Sequence, residues 1–165
     1  MTNRTALQQR IRILLIFFMC ALAVSGLTAV PLQWELGFLN HWFGANSFLS
    51  QILPSMAEWI SRVNESVQSG YGRFPLLAYG TDWLAFAHIV IAVAFIGPLR
   101  DPLKNIWIIE FGIIACILIV PWALIFGVVR QIPLFWTLID MSFGVFGIIP
   151  LWLARRDILK LPQEL

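Results

Sequence analysis

Two ionisable side chains, His88 and Asp140, lie inside long apolar stretches of the sequence. An imidazole and a carboxylate in contact can exchange a proton, and the carboxylate can fix the orientation of the ring. A charge at the centre of a membrane helix costs at least about 2.5 to 3.5 kcal/mol, so each side chain needs a partner, a cavity or the interface. These two residues are therefore the first candidates for chemistry.

The spacing of the two residues predicts that they share a depth. His88 lies about eight residues into the second apolar stretch and Asp140 about seven into the fourth, which places both about 10 to 12 Å from the outer helix ends. A pair would form if the two helices face each other. It would act either as a structural clamp, which is the simpler interpretation, or as a proton relay.

Two further charged residues are expected beside this pair. Asp82 follows Gly80 and Thr81 and is predicted to cap the outer start of the second helix, whereas Arg130 marks the outer end of the third. His88, Asp140, Asp82 and Arg130 together form the candidate polar pocket, which is expected to open toward the segment between the first two helices.

Glu110 and His41 are secondary candidates. Glu110 is predicted near the cytoplasmic surface, where Lys104 or Arg100 could neutralise it. His41 is predicted to lie outside the bilayer. For His88, a further and less favoured interpretation is that it ligates a b-type haem. A bis-histidine haem site would need two copies of His88 in a homodimer. The sequence predicts no other cofactor and no metal site.

The elements that position these residues follow from composition. Hydrophobic residues make up 59% of the chain and charged residues only 12%, against about 25% charged in soluble domains. Uncharged or nearly uncharged windows are long enough to cross a bilayer. They cover residues 13–34, 83–99, 111–129 and 131–154. We therefore expect an all-α integral membrane protein, a single domain over 1–165, with helices at about 11–32, 80–99, 103–129 and 133–153.

The outer segment, residues 33–79, is predicted to be folded. Apolar residues recur in it every three or four positions, the period of an amphipathic helix. Pro54 fits if the regular helix begins there and residues 47–53 form a separate turn. Residues 69–80 are predicted to form a turn-rich return to the membrane. The amphipathic helix is expected either to lie on the membrane surface or to cap the membrane helices.

Charge placement predicts that both chain ends are cytoplasmic. Eight Lys and Arg residues then lie inside and three outside, as the positive-inside rule requires. The first helix also resembles a signal peptide, with Ala21 and Ala23 at a cleavage-like site, but its apolar run is longer than a signal peptide needs. An uncut helix is the favoured interpretation.

Several function classes are disfavoured by the sequence. There is no catalytic motif and no basic stripe for nucleic acid, so we expect neither an enzyme nor a nucleic-acid-binding protein. The stretch 86–105, FAHIVIAVAFIGPLRDPLKN, resembles segments of bacterial inner-membrane proteins and implies that location without an activity. Three hypotheses remain: an accessory or assembly subunit, an oligomeric proton-coupled transporter or channel using His88 and Asp140, and a b-type haem subunit. The expected partners are the lipid bilayer and either further copies or a larger membrane complex.

Overall fold

The computed structural model describes residues 2–161, with side chains from Arg4 onward, and these residues form eight α-helices. Four helical segments are long and apolar enough to span a membrane, and the second span combines α5 and α6. The predicted all-α, four-span fold with helices between the first two spans is confirmed. The helices are α1 (Thr2–Leu27), α2 (Leu32–Phe43), α3 (Leu49–Ile52), α4 (Pro54–Arg73), α5 (Pro75–Ala94), α6 (Ile96–Arg100), α7 (Ile106–Val129) and α8 (Leu134–Ile158).

The second span begins earlier than predicted. The prediction of a turn-rich return to the membrane over residues 69–80 is wrong. α4 continues to Arg73 and α5 begins at Pro75, so that Phe74 alone lies between them. Proline at the first position suits a helix start, and glycines are common within membrane helices. Tyr71 and Thr81 join the two helices through a hydrogen bond between their hydroxyls, 3.1 Å apart.

Two other predicted helix ends also shift. The first span ends at Leu27 rather than near residue 32, since residues 28–31 form hydrogen-bonded turns before α2. The last span continues to Ile158 rather than ending near 153. The cytoplasmic location of both chain ends stays a prediction, and Met1 and residues 162–165 lie outside the described residues.

Internal packing divides the chain into two compact units. Of the described residues, one unit comprises 2–21 and 91–161, and the other comprises 22–90. Because the helices α1 and α5 extend past residues 21 and 90, each contributes to both units. That residues 1–165 act as a single membrane domain stays a prediction.

The first unit is dominated by close packing of α7 against α8. Gly144 on α8 lies directly against the backbone carbonyl of Cys116 on α7, so that even a methyl group at position 144 would overlap that oxygen. Gly127 is similar, because a Cβ there would lie 2.7 Å from Thr137 Oγ1. Small residues on both helices therefore allow α7 and α8 to pack closely.

A tight turn joins these two helices. Gln131 adopts a left-handed conformation with φ of 55°. The Ile132 N–H donates to Gly127 O at 2.8 Å and the Gln131 N–H donates to Val128 O at 3.2 Å. These two bonds form a Schellman motif, which satisfies carbonyls left open at the end of α7.

The second unit contains a helical hairpin of α2 and α4. Ser61 Oγ donates to Asn40 Oδ1 at 2.6 Å near one end, and Gln68 Nε2 donates to Gln33 O at 2.7 Å near the other. Ala57 and Ile60 on α4 are buried. α4 packs mainly against α2 and also against α3. The start of the regular helix at Pro54 and the separate turn before it are confirmed.

Candidate functional site

An open groove runs along α7 and α8 near their connection and encloses about 570 Å³. Its volume lies within the range of about 300 to 1,000 Å³ typical of small-molecule sites. Eight lining residues are uncharged and two are charged. The lining comprises Ala115, Leu118, Ile119, Trp122, Ala123, Phe126, Gly127, Arg130, Ile132 and Asp140.

Arg130 and Asp140 are thus brought to the same groove. Asp140 lies in the second turn of α8, inside a candidate membrane span, and its side chain is exposed. Within residues 4–161 neither side chain has an ion-pair partner within 4.0 Å. A carboxylate at this position needs a counter-charge or a proton, so the groove is the chemically distinctive part of this unit.

His88 belongs to the other unit, on α5, and is half-buried. Its Nδ1 lies 2.8 Å from the Leu84 carbonyl oxygen, one turn earlier on the same helix. Gly26 on α1 packs directly against its Cβ. Since α5 begins at Pro75, His88 lies in the second half of its helix, and the predicted count of about eight residues to the helix start is wrong. The pairing with Asp140 stays a prediction.

The remaining pocket candidate, Asp82, does not cap a helix. It lies inside α5, seven residues after Pro75, and is exposed. The cap prediction fails because Gly80 and Thr81, which suggested a helix start, are themselves helical. His41 lies in the last turn of α2, exposed, with its ring edge-on to Trp42 at a centroid distance of 5.2 Å.

Glu110 is paired, but with a residue other than those predicted. Arg155 Nε donates to Glu110 Oε1 at 2.9 Å, and the same oxygen lies 2.8 Å from Arg155 Nη2. Lys104 instead pairs with Asp101 at 3.4 Å. The last span was predicted to end near residue 153, whereas α8 extends beyond Arg155. The partner of Glu110 is therefore on α8, and the pair joins α7 to α8.

Among residues 4–161, the most buried charge is Asp157 on α8, whose side chain is 1% exposed; sequence reasoning missed it. Asp157 Oδ2 lies 3.2 Å from Arg10 Nε on α1. Its Oδ1 lies 3.4 Å from Arg156 Nε and 3.8 Å from Lys160 Nζ. We call these four residues the Asp157 cluster. The three cations are half-exposed, so the cluster ties α1 to α8 and leaves a basic surface.

Asp101 caps the turn before α7 rather than α7 itself. Its Oδ1 accepts a hydrogen bond of 3.1 Å from the Lys104 backbone N–H, and α7 begins later, at Ile106. This backbone bond is the main reason that the pKa of Asp101 lies below its ordinary value, with the Lys104 ammonium adding to it. Asp101 thus stabilises the turn when ionised, and that contribution is lost as pH falls through its folded-state pKa.

We expect the low pKa of Asp101 to persist in Lys104→Ala, because that change removes the ammonium and keeps the backbone N–H. Carboxyl chemical shifts of aspartate followed by NMR during an acid titration measure the midpoint. A midpoint that returned to the ordinary value of 3.8 in Lys104→Ala would show that the ammonium, not the backbone, is the main cause.

The described residues contain no group of three or more His, Cys, Asp or Glu side chains arranged to hold a metal ion. No protein-family model, curated protein or solved structure matches the chain. The fold itself defines the class: a small, all-helical membrane protein with four candidate spans.

Proposed function

We propose that this protein is a non-enzymatic accessory subunit that binds another membrane protein through α2. The observation that carries the proposal is an aromatic ridge on α2, formed by Trp34, Phe38 and Trp42. Neighbouring ring centroids along it are 6.0 and 6.4 Å apart. The three side chains are 72%, 55% and 57% exposed. Clustered exposed aromatic residues are characteristic of the energetic centres of protein interfaces.

The ridge is presented on a rigid support. The hairpin partner α4 holds α2 by hydrogen bonds near both ends, Asn40 with Ser61 and Gln33 with Gln68. Leu36 is buried on α2. A surface already fixed in its binding conformation loses little entropy when a partner docks.

The composition of α2 favours a protein partner over lipid. Tryptophan also prefers the membrane interface, but helices that lie in that interface usually carry Lys or Arg on their polar face. α2 has neither, and its acidic residue is Glu35. The four spans also provide ample membrane attachment. No comparable observation supports transport through His88 and Asp140 or haem binding at His88.

The proposal is tested by replacing the ridge and following assembly. The ridge variant changes Trp34, Phe38 and Trp42 to Ser together, and a matched control changes the exposed α4 residues Glu58, Arg62 and Glu65 to Ser. Each protein is extracted from its own membranes in mild detergent and sized on a native gel, with mass spectrometry of the bands.

We expect the wild type and the control to migrate with a second membrane protein in fixed ratio, and the ridge variant to migrate alone. If the ridge variant kept the same partner as the wild type, or if all three proteins migrated alone, the proposal would be wrong.

A further inference from the structure

The Asp157 cluster carries more positive charge than its own carboxylate neutralises. The side chains of Arg10, Arg156 and Lys160 all contact the single carboxylate of Asp157. Among residues 4–161, no other carboxylate lies within 4.0 Å of any of these three cations. Three cations and one carboxylate leave an excess of two positive charges at this point of the structure.

Asp157 holds the three cations in place without covering them. The carboxylate is buried, whereas the cations are half-exposed, and Lys160 is the most exposed of them at 58%. The guanidinium and ammonium groups together carry more N–H donors than one carboxylate can accept. A second anion can therefore bind on the exposed side while Asp157 keeps its contacts. Because the cations are already positioned, little side-chain entropy is lost when that anion binds.

The cluster lies at the depth of the lipid headgroups. From the start of α8 at Leu134, a rise of 1.5 Å per residue places Trp152 about 27 Å and Arg156 about 33 Å along the helix. A hydrocarbon core is about 30 Å thick, so its boundary falls between these two residues. The Arg156 guanidinium lies over the Trp152 ring, 5.5 Å from the ring centroid. A tryptophan ring favours this boundary, which supports the assigned depth.

We propose that the Asp157 cluster binds an anionic phospholipid whose headgroup carries two phosphates, as in diphosphatidylglycerol. Such a headgroup neutralises both excess charges, whereas phosphatidylglycerol neutralises one and zwitterionic phosphatidylethanolamine neutralises neither. Arg10 and Arg156 present paired N–H donors to the phosphate oxygens, and Lys160 adds a point charge. The acyl chains extend past Trp152 into the hydrocarbon. The site lies on α1 and α8 and does not depend on the aromatic ridge of α2.

The test measures the lipid selectivity of delipidated protein in detergent. Diphosphatidylglycerol, phosphatidylglycerol and phosphatidylethanolamine built from the same acyl chain are titrated in turn, and bound lipid is counted by native mass spectrometry. We expect diphosphatidylglycerol to bind about fivefold more tightly than phosphatidylglycerol, the factor for one additional exposed ion pair near the upper end of its usual strength. Phosphatidylethanolamine should bind most weakly.

Charge variants separate the cluster from the additional acyl chains of diphosphatidylglycerol and from general attraction to anionic lipid. Arg10→Gln and Lys160→Gln should each weaken diphosphatidylglycerol binding about threefold to fivefold and leave phosphatidylethanolamine binding unchanged. The matched control, Arg12→Gln, removes the same charge from an exposed position of α1 and should keep the wild-type preference. If Arg10→Gln fails to fold, Lys160→Gln decides the question, because Lys160 has the longest contact with Asp157, 3.8 Å.

A soluble competitor separates a lipid from a free phosphate compound. Inorganic pyrophosphate carries two phosphates and no acyl chain, and it should not displace diphosphatidylglycerol at equal concentration. Displacement by pyrophosphate would overturn the proposal of a lipid ligand. Equal binding of diphosphatidylglycerol and phosphatidylglycerol by the wild type, or an equal loss of preference in Arg12→Gln and Lys160→Gln, would overturn the proposed site.

Discussion

Gly144→Ala is expected to destabilise the protein by about 2 kcal/mol, at the middle of the usual range for overpacking. The reason is local, because a Cβ at this position would overlap the backbone carbonyl oxygen of Cys116 on α7. A flexible side chain could move aside, but a backbone carbonyl moves only if the helices separate. Gly144→Leu should have a larger effect and should reduce the amount of folded protein recovered. Thermal unfolding in detergent, followed by circular dichroism, measures both.

A matched control, Gly80→Ala, is expected to change the free energy of unfolding in the opposite direction. Gly80 lies within α5, and a Cβ built there meets nothing within 4 Å. Gly80→Ala should therefore stabilise the protein by about 0.5 to 1 kcal/mol, because alanine loses less backbone entropy in a helix. Equal shifts in the unfolding midpoint for Gly80→Ala and Gly144→Ala would show that α7 and α8 are not in close contact at Gly144.

Asp157→Ala is expected to destabilise the protein by about 2 kcal/mol, because it removes a buried side chain and its ion pairs while the partner cations stay half-exposed to solvent. The substitution removes the carboxylate that Arg10, Arg156 and Lys160 share, and it leaves three cations close together on α1 and α8. It also removes a side chain that is 1% exposed, so a small cavity remains. Thermal and denaturant unfolding in detergent both measure this loss of stability.

Two comparison variants separate charge from volume at this site. Asp157→Asn keeps the size and removes the charge, so most of the destabilisation should remain if the ion pairs dominate. Asp101→Ala removes an aspartate whose side chain is 41% exposed and should have a small effect. An unfolding midpoint for Asp157→Ala no lower than that of Asp101→Ala would contradict a stabilising role for the Asp157 cluster.

The existence of the membrane helices could be predicted because hydrocarbon demands long windows with few or no charges, and the sequence contains four. Their ends were harder to predict, for reasons that differ from helix to helix. Gly70, Gly72 and Gly80 suggested a break, yet all three lie inside helices. Glycine lowers helix stability by only about 1 kcal/mol, and the apolar surroundings of α5 override that preference.

Asp157 shows how an error at a helix end hides a charged site. The basic residues Arg155 and Arg156 suggested that the last span ends before them, which left Asp157 in a tail. Residues at helical spacing, Leu151 and Ala154, are buried ahead of it, and Ile158 and Leu161 are buried after it. That apolar period was the signal that α8 continues and that Asp157 lies on its buried side.

Two of the four residues in the predicted polar pocket lie in one groove, and the pocket as a whole stays a prediction. Arg130 and Asp140 line one groove because the short α7–α8 turn brings their helices together. His88 belongs to the other compact unit, where it packs against Gly26, and its pairing with Asp140 stays a prediction. Counting residues from helix ends cannot show which helices are neighbours, because that depends on packing of small residues such as Gly144 and Gly127.

The most direct test of the proposed interaction role is a contact measurement at the aromatic ridge. A photo-crosslinking amino acid is placed at Phe38, in the centre of the ridge, and at Glu58 on α4 as the exposed control, and intact cells are irradiated. We predict a discrete protein crosslink from position 38 and none from position 58. Crosslinks from position 38 to lipid alone, or the same protein products from both positions, would contradict a protein interface at the ridge.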